Sequence, residues 1–179
     1  MSQIFQGSMD GVFLIYGAAF FILGMAILLQ PKRNSDFRLA HILWLLAGFG
    51  IIHGTNEWLD MCKIIHGTSP LLNLIGICFL ISSYIFLFEF GRRLVLVISP
   101  VSSSRTYWAK LLLNWKIITP LLGGVLIATL VNEDPWSAMN IWSRYLLGFS
   151  GSMLTGMGLF FYFRQERAQL VHLKLDLAF

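Results

Sequence analysis

The amino-acid sequence predicts an all-α fold, a polytopic transmembrane helix bundle. Apolar residues make up 56% of the 179-residue chain and charged residues only 12%, whereas a soluble domain carries about 25% charged residues. A helix needs about 20 residues to cross about 30 Å of hydrocarbon, and five apolar stretches of roughly that length follow one another. The composition therefore predicts a multi-pass membrane protein whose first partner is the lipid bilayer.

Proline, charged residues and a tight turn separate the predicted spans. Pro31 ends the first span, Arg92 follows the third, and the acidic turn Glu133–Asp134 divides the fourth from the fifth. The five spans are predicted at residues 11–30, 39–61, 70–90, 112–131 and 138–163. Together they form one bundle, residues 1–163, with no long soluble domain.

The loop lysines and arginines predict the orientation of the bundle, because these residues accumulate on the cytoplasmic side. The N-terminus is then outside and the C-terminus cytoplasmic. The same loop residues account for the net charge of +4, so nucleic acid is not expected as a partner. One side holds Lys32, Arg33, Arg38, Arg92, Arg93, Arg105, Lys110, Arg164, Arg167 and Lys174, and the other holds Lys63.

The C-terminal segment, residues 164–179, is predicted to be a cytoplasmic amphipathic tail. Its apolar residues recur at helical spacing and become denser toward the end, which reads LDLAF. Two explanations fit this pattern. The chain is a fragment whose next element is missing, or the tail is an output helix that lies on the membrane or enters a coiled coil.

A polar stripe lies on the second predicted span, where a membrane helix should be apolar. At about 100° per residue, its four side chains fall within about 100° of one another. Ionisable groups at membrane depth are costly, and they usually face a bundle interior or a wet cavity. The stripe is therefore the candidate site for sensing or ligand binding. Its members are His53, Asn56, Glu57 and Asp60.

Two interpretations of the polar stripe remain open. It is either a structural hydrogen-bond network between helices or a site for a proton, a small polar ligand or a metal. One helix supplies at most two or three metal ligands, so the sequence leaves a metal unknown. Haem is not expected, because His41 and His53 lie about 18 Å apart on one helix and no facing span supplies the opposing ligands. No cofactor is predicted.

Arg144, in the outer part of the fifth span, is the natural partner of the polar stripe. A lone arginine at this depth is costly, and pairing with Glu57 or Asp60 would lower the cost for both groups. Alternatively, its long side chain reaches the external headgroups.

Small residues spaced four apart predict close helix packing. Packing within the bundle is the first interpretation, and a homodimer contact is the alternative. The two rows are Gly50 and Gly54 on the second span, and Gly148, Ser152 and Gly156 on the fifth.

The chain is predicted not to be an enzyme by itself. It contains no phosphate-binding loop, no serine-hydrolase or zinc-protease motif and no kinase signature. Kinase or cyclase activity would require a further C-terminal domain.

Residues 29–61 resemble the N-terminal multispanning sensor region of bacterial histidine kinases and diguanylate cyclases. The motifs are L-x-P-[KR]-x-x-S after the first span, L-A-x-x-[LI]-x-x-L-A-x-F-G, and H-G-x-x-E-W-x-D-M around His53. The resemblance implies a sensor in the bacterial inner membrane with a cytoplasmic signalling domain in cis or in trans, but it implies no particular stimulus.

The sequence therefore favours a membrane-embedded sensory module that transmits a signal to a two-component or cyclase output. A stimulus would alter the helix packing around the polar stripe and Arg144. The alternatives are a small proton, cation or solute transport subunit, in which the stripe lines a path, and a membrane assembly or scaffold protein.

Overall fold

A computed structural model describes residues 2–30, 38–98 and 114–176, and it contains helices and short connections without a strand in these ranges. The prediction of an all-α fold is confirmed. Three helical segments in these ranges are long and apolar enough to cross a membrane, which indicates a helical membrane protein. They are Met9–Leu29, Pro70–Ile98 and Pro135–Gln165.

Six α-helices make up most of the described chain. A π-helical turn, Ser143–Gly148, joins the last two without a break. Short 3-10 turns precede the second and fourth helices, at Arg38–His41 and Trp115–Ile117. The helices are α1 (Ser2–Leu29), α2 (Leu43–His66), α3 (Pro70–Ile98), α4 (Ile118–Val131), α5 (Pro135–Trp142) and α6 (Phe149–Asp176).

The helices depart from the predicted spans mainly at their ends. Helix α3 continues eight residues beyond the predicted end at residue 90, to Ile98. The predicted tail continues α6 as far as Asp176. Residues 112–113, where the fourth span was predicted to begin, and residues 177–179 lie outside the described residues.

Helices α2 and α4 are not among the candidate membrane-crossing helices. Helix α2 is too polar, and helix α4 is too short. Helix α2 has 24 residues, but the polar stripe lowers its hydropathy. Helix α4 has 14 residues, fewer than the about 20 that a full crossing needs. Five crossings, and the orientation that depends on their number, therefore stay predictions.

A tight connection between α2 and α3 brings the polar end of α2 against the start of α3. Gly67 follows α2 with φ of +87°, a left-handed conformation that favours glycine. Pro70 then begins α3, and the Ser69 hydroxyl accepts a hydrogen bond of 3.2 Å from the backbone N–H of Leu72. These local signals make the two helices neighbours.

Asp134 caps α5, whose first residue is Pro135. Its carboxylate accepts hydrogen bonds from the N–H groups of Trp136 and Ser137 and from the Ser137 hydroxyl. The Ser137 hydrogen bonds hold the pKa of Asp134 below its usual range. The cap is therefore present at neutral pH and is lost as the pH falls through this lowered pKa.

Close backbone contact between α1 and α2 depends on glycine. A Cβ atom at Gly54 would lie 2.5 Å from the carbonyl oxygen of Gly17, and one at Gly50 would lie 2.7 Å from that of Phe20. Such contacts leave no room for a side chain, and they are the use expected of the row Gly50 and Gly54. They bring the aromatic residues of α1 against the polar stripe.

The second small-residue row does not pack within the bundle as expected. Gly148 lies against the Tyr84 ring, but Ser152 is exposed and a Cβ at Gly156 would meet nothing within 4 Å. Each four-residue step advances about 40° around a helix, so this row turns away from α3. Of this row, only Gly148 contacts α3. The other small residues that contact α3 are Gly151, Thr155 and Gly158.

Two apolar clusters hold α2 and α3 to the helices that follow them. The first joins them to α4 and the π-helical turn beside the polar stripe, and it contains Phe49, Leu80, Tyr84, Leu87, Val125 and Leu147. The second, toward the opposite end of α2, contains Ile42, Leu45, Phe90, Leu94 and Tyr162.

The substitution Gly54→Ala is expected to destabilise the bundle by about 1–3 kcal/mol, because the new methyl group forces two backbones apart. Gly156→Ala is the matched control, and its stability should stay equal or rise by up to about 1 kcal/mol through helix propensity. Thermal unfolding in lipid nanodiscs measures both. Equal effects at the two positions would contradict the observed α1–α2 contact.

Candidate functional site

The polar stripe lies inside the bundle, where α2 meets α1, α3 and the π-helical turn. His53 is 3% exposed, and Asn56 and Glu57 are each 1% exposed. Asp60 is half-buried at the end of the stripe. Uncompensated burial of such groups is costly, so their partners on the other helices decide what the site can do.

Ser83 of α3 favours one tautomer of His53. The Ser83 hydroxyl donates to the backbone carbonyl of Leu80 at 2.7 Å, and its oxygen lies 3.2 Å from His53 Nδ1. With its single hydrogen directed to Leu80, the Ser83 oxygen is left to accept from His53. We therefore assign a proton to Nδ1, which leaves a neutral His53 with a lone pair at Nε2.

That lone pair faces a carboxylate. His53 Nε2 lies 3.5 Å from Glu57 Oε1, and Oε1 has no hydrogen-bond partner among the described residues. Two lone pairs at this distance repel each other, so we assign one proton to the pair, on Nε2 or on Oε1. The pair is then neutral overall, which lowers the cost of burying it.

Aromatic rings surround His53 on its remaining sides. Phe49 stacks on the imidazole with ring centroids 5.1 Å apart, and Phe20 meets it edge-on at 4.9 Å. Tyr84 lies at 5.5 Å and Tyr16 at 6.4 Å. These rings exclude water from the histidine, so its protonation depends on Glu57 and on the neighbouring charges.

Asp60 links the stripe to two cations. Its Oδ1 accepts a hydrogen bond of 2.6 Å from Lys63, which lies one turn further along α2. Its Oδ2 lies 3.6 Å from Arg144 Nη2, and the same nitrogen lies 3.9 Å from Glu57 Oε1. The structure thus places Arg144 beside both carboxylates that the sequence offered as partners.

The guanidinium of Arg144 is not fully engaged by these carboxylates. Both distances exceed that of a hydrogen bond, and the side chain is 40% exposed. Its Nε donates a hydrogen bond of 2.9 Å to the Asn140 side chain. Four of its five N–H donors therefore have no hydrogen bond within the described residues.

The π-helical turn places Arg144 level with Glu57 and Asp60 of α2. A π turn is a frequent feature of functional sites, because it changes the direction in which side chains leave the helix. Here it buries Ser143 and Leu147 against the bundle and leaves Arg144 beside α2.

Several buried polar atoms at the site lack a hydrogen bond among the described residues. They are Asn56 Nδ2, Glu57 Oε1 and Ser143 Oγ. Most buried polar groups in native proteins are satisfied, so a small group of exceptions marks a site with unused bonding capacity.

Two cavities meet at Arg144. The larger one, which we call the vestibule, has a volume of about 770 Å³ and a mixed lining. Its polar residues include Asp60, Lys63, Asn73, Asp134, Asn140 and Arg144, and its apolar residues include Phe13, Ile64, Trp136 and Ile141. The smaller one, the aromatic cleft, has about 370 Å³ and is lined by His53, Tyr16, Phe20, Phe49, Tyr84, Leu87, Arg144, Tyr145, Gly148, Phe149 and Ser152. Arg144 forms part of the wall of both.

The neighbouring helices contribute residues to the site that the sequence did not identify. Ser83, Tyr84, Tyr16 and Phe20 all contact or approach His53. Two sequence features could have indicated them: the serine pair Ser82 and Ser83 in an apolar span, and the aromatic residues Tyr16 and Phe20 spaced four apart on α1. Neither signal shows which face of its helix meets α2.

No group of three or more histidine, cysteine, aspartate or glutamate residues is placed to hold a metal ion within residues 2–30, 38–98 and 114–176. The chain matches no family model, no curated protein and no solved structure.

Ser83→Ala should lower the free energy of unfolding by about 1–3 kcal/mol, because it leaves the buried Nδ1–H of His53 without an acceptor. Ser82→Ala is the matched control, since the adjacent hydroxyl forms no described hydrogen bond, and its effect should stay within about 0.5 kcal/mol. Chemical denaturation in detergent compares them. Similar small effects would show that the Ser83 contact does not stabilise His53.

Glu57→Gln and Arg144→Gln should be energetically coupled by about 1 kcal/mol in a double-mutant cycle, because the two charges are close and one is buried. The control cycle combines Glu57→Gln with Arg93→Gln, whose partner is Glu89 at the other end of α3. It should be additive within about 0.5 kcal/mol. Additivity in the first cycle would exclude the Arg144–Glu57 ion pair.

Proposed function

We propose that the chain is a membrane-embedded sensory module, the input part of a histidine kinase or diguanylate cyclase whose output domain is joined in cis or in trans. One observation carries the proposal. A buried and incompletely bonded polar cluster lies where α2, α3 and the π-helical turn meet. Its key separations are 3.5 Å for His53–Glu57, 3.6 Å for Asp60–Arg144 and 3.9 Å for Glu57–Arg144.

These separations suit a switch between two packings. Each is longer than a good hydrogen bond, so a small helix shift would shorten one contact and lengthen another. A stimulus changes such an equilibrium only by the difference in its affinity for the two states. A proton gained by the His53–Glu57 pair, or a ligand bound at Arg144, supplies such a difference.

Helix α6 connects the cluster to the opposite side of the membrane. It follows the π-helical turn directly and continues to Asp176, beyond the candidate span that ends at Gln165. A rotation or shift at Arg144 would therefore reach residues 164–176 without an intervening loop. This continuity supports a direct mechanical link between the cluster and the proposed output.

Conduction is less well supported than sensing. Inward of His53, the bundle is filled by apolar side chains, among them Phe49, Leu80 and Leu87. A transport path requires polar or broken helices on both sides of its binding site. The vestibule and the buried cluster instead form a half-path that is closed on its inner side.

A fusion of the full chain to a histidine-kinase output domain tests the proposal through basal kinase activity in membranes. His53→Ala removes the proton-sharing contact and should shift the basal output at least severalfold, because it changes the balance between packings. His66→Ala is the control, since His66 is exposed at the end of α2, and its output should equal that of the parent fusion.

Equal output from the parent and His53→Ala fusions, with both folded, would contradict the sensory role. Proton or cation flux through liposomes that contain the chain alone, abolished by the same substitution, would favour the transport alternative.

A further inference from the structure

The aromatic cleft opens sideways between two helices. Tyr16 and Phe20 of α1 form one wall, and Tyr145 and Phe149 form the other. The floor is formed by α2 and α3. At the mouth, Tyr145 and Phe149 are 68% and 67% exposed, and both flanking segments belong to candidate spans. The mouth therefore faces the hydrocarbon of the bilayer.

The walls of the cleft suit a flat ring. Most of its large lining side chains are aromatic, and aromatic rings stack offset or edge-on with centroids about 4.5–7 Å apart. The volume of about 370 Å³ falls in the range of small-ligand sites, about 300–1,000 Å³. The cleft is large enough for one substituted ring.

The polar groups of the cleft offer hydrogen-bond donors. Arg144 has unused N–H groups, and the hydroxyls of Tyr16 and Tyr84 form no hydrogen bond in the part of the chain described. Both phenols lie within electrostatic range of Glu57 and Arg144. A matching ligand therefore carries acceptor oxygens.

Access from the bilayer favours a neutral ligand. Glu57 and Asp60 lie beside Arg144, and Lys63 pairs with Asp60. With the His53–Glu57 pair neutral, two cations and one carboxylate remain, so these charges alone do not select against an anion. An ionised ligand, however, would have to pass through hydrocarbon to reach the mouth of the cleft, which is costly. A carbonyl oxygen accepts from Arg144 without that cost.

We infer that the aromatic cleft binds a lipid-soluble quinone, with its ring between the aromatic walls and one carbonyl oxygen toward Arg144 and the tyrosine hydroxyls. The cleft selects a ligand with four properties: it has a ring, it carries acceptor oxygens, it is neutral, and it reaches the cleft from the bilayer. A lipid acyl chain is neutral and reaches the cleft from the bilayer, but it leaves the hydrogen-bond donors of the cleft unbonded. The inference rests on the proposed sensory role and names the class of ligand for it.

The test is photolabelling of the full chain in phospholipid nanodiscs with an azido derivative of a short-chain ubiquinone. Decyl-ubiquinone serves as competitor, and the labelled peptides are identified by mass spectrometry. Saturable labelling of the Tyr16 and Tyr145–Phe149 segments is expected. Ser152→Trp fills the cleft from an exposed position of α6 and should reduce this labelling at least tenfold.

Gly156→Trp is the matched control, because Gly156 lies one turn further along α6, is exposed and does not line the cleft. It should retain the parent labelling. Labelling that does not saturate, or that is equal in the two tryptophan variants, would overturn the inference. So would a photoreactive phospholipid that labels the same segments and is not displaced by decyl-ubiquinone.

Tyr84→Phe separates a quinone site from a general apolar cleft. It removes a hydroxyl without a described hydrogen bond and keeps the ring, so thermal stability should change little. Affinity for decyl-ubiquinone should fall about three- to tenfold, the effect of one lost hydrogen bond. Unchanged affinity in both Tyr84→Phe and Tyr16→Phe would overturn the assigned orientation.

Quinone binding is measured on the chain without an output domain. The quinone inference and the proposed sensory role can therefore be overturned independently of each other. Absence of quinone binding overturns the ligand class, whatever the kinase fusion shows. Equal basal output from the folded parent and His53→Ala fusions overturns the sensory role, whatever the cleft binds.

Discussion

Burial of the His53–Glu57 pair is the constraint on which the surrounding structure depends. Two titratable groups lie inside an apolar bundle, where an unpaired charge is very costly. The Ser83 oxygen accepts from Nδ1 in the assigned tautomer, and Nε2 then faces Glu57. One shared proton then makes the pair neutral, and the aromatic rings can enclose it.

The close approach of α1 and α2 makes that enclosure possible. Because Gly17 and Gly54 bring the two backbones into contact, Phe20 reaches the edge of the imidazole. In a bilayer, association of helices gains little from apolar burial and relies on such tight packing. The glycines of this interface are thus part of the site, although they have no side chains to contribute to it.

Arg144 lies in the wall of both cavities, the vestibule and the aromatic cleft. It faces the carboxylates on the vestibule side and the aromatic rings on the cleft side, and it sits on the π-helical turn that leads directly into α6. An occupant of either cavity therefore acts on the same side chain.

The class of the protein and the location of the polar stripe follow from the sequence alone. Apolar composition, helical periodicity and turn residues act locally, so the end of α1, the start of α3 and the end of α4 were predictable. The spacing of His53 and Glu57 placed them on one face of α2. The partners of that face depend on how each helix is rotated. Lipid-facing and buried side chains are equally apolar in such a bundle, so periodicity does not mark the inner face. Only the tertiary structure placed Ser83 and Phe20 against His53, turned Ser152 and Gly156 away from α3, and put a π turn at Arg144.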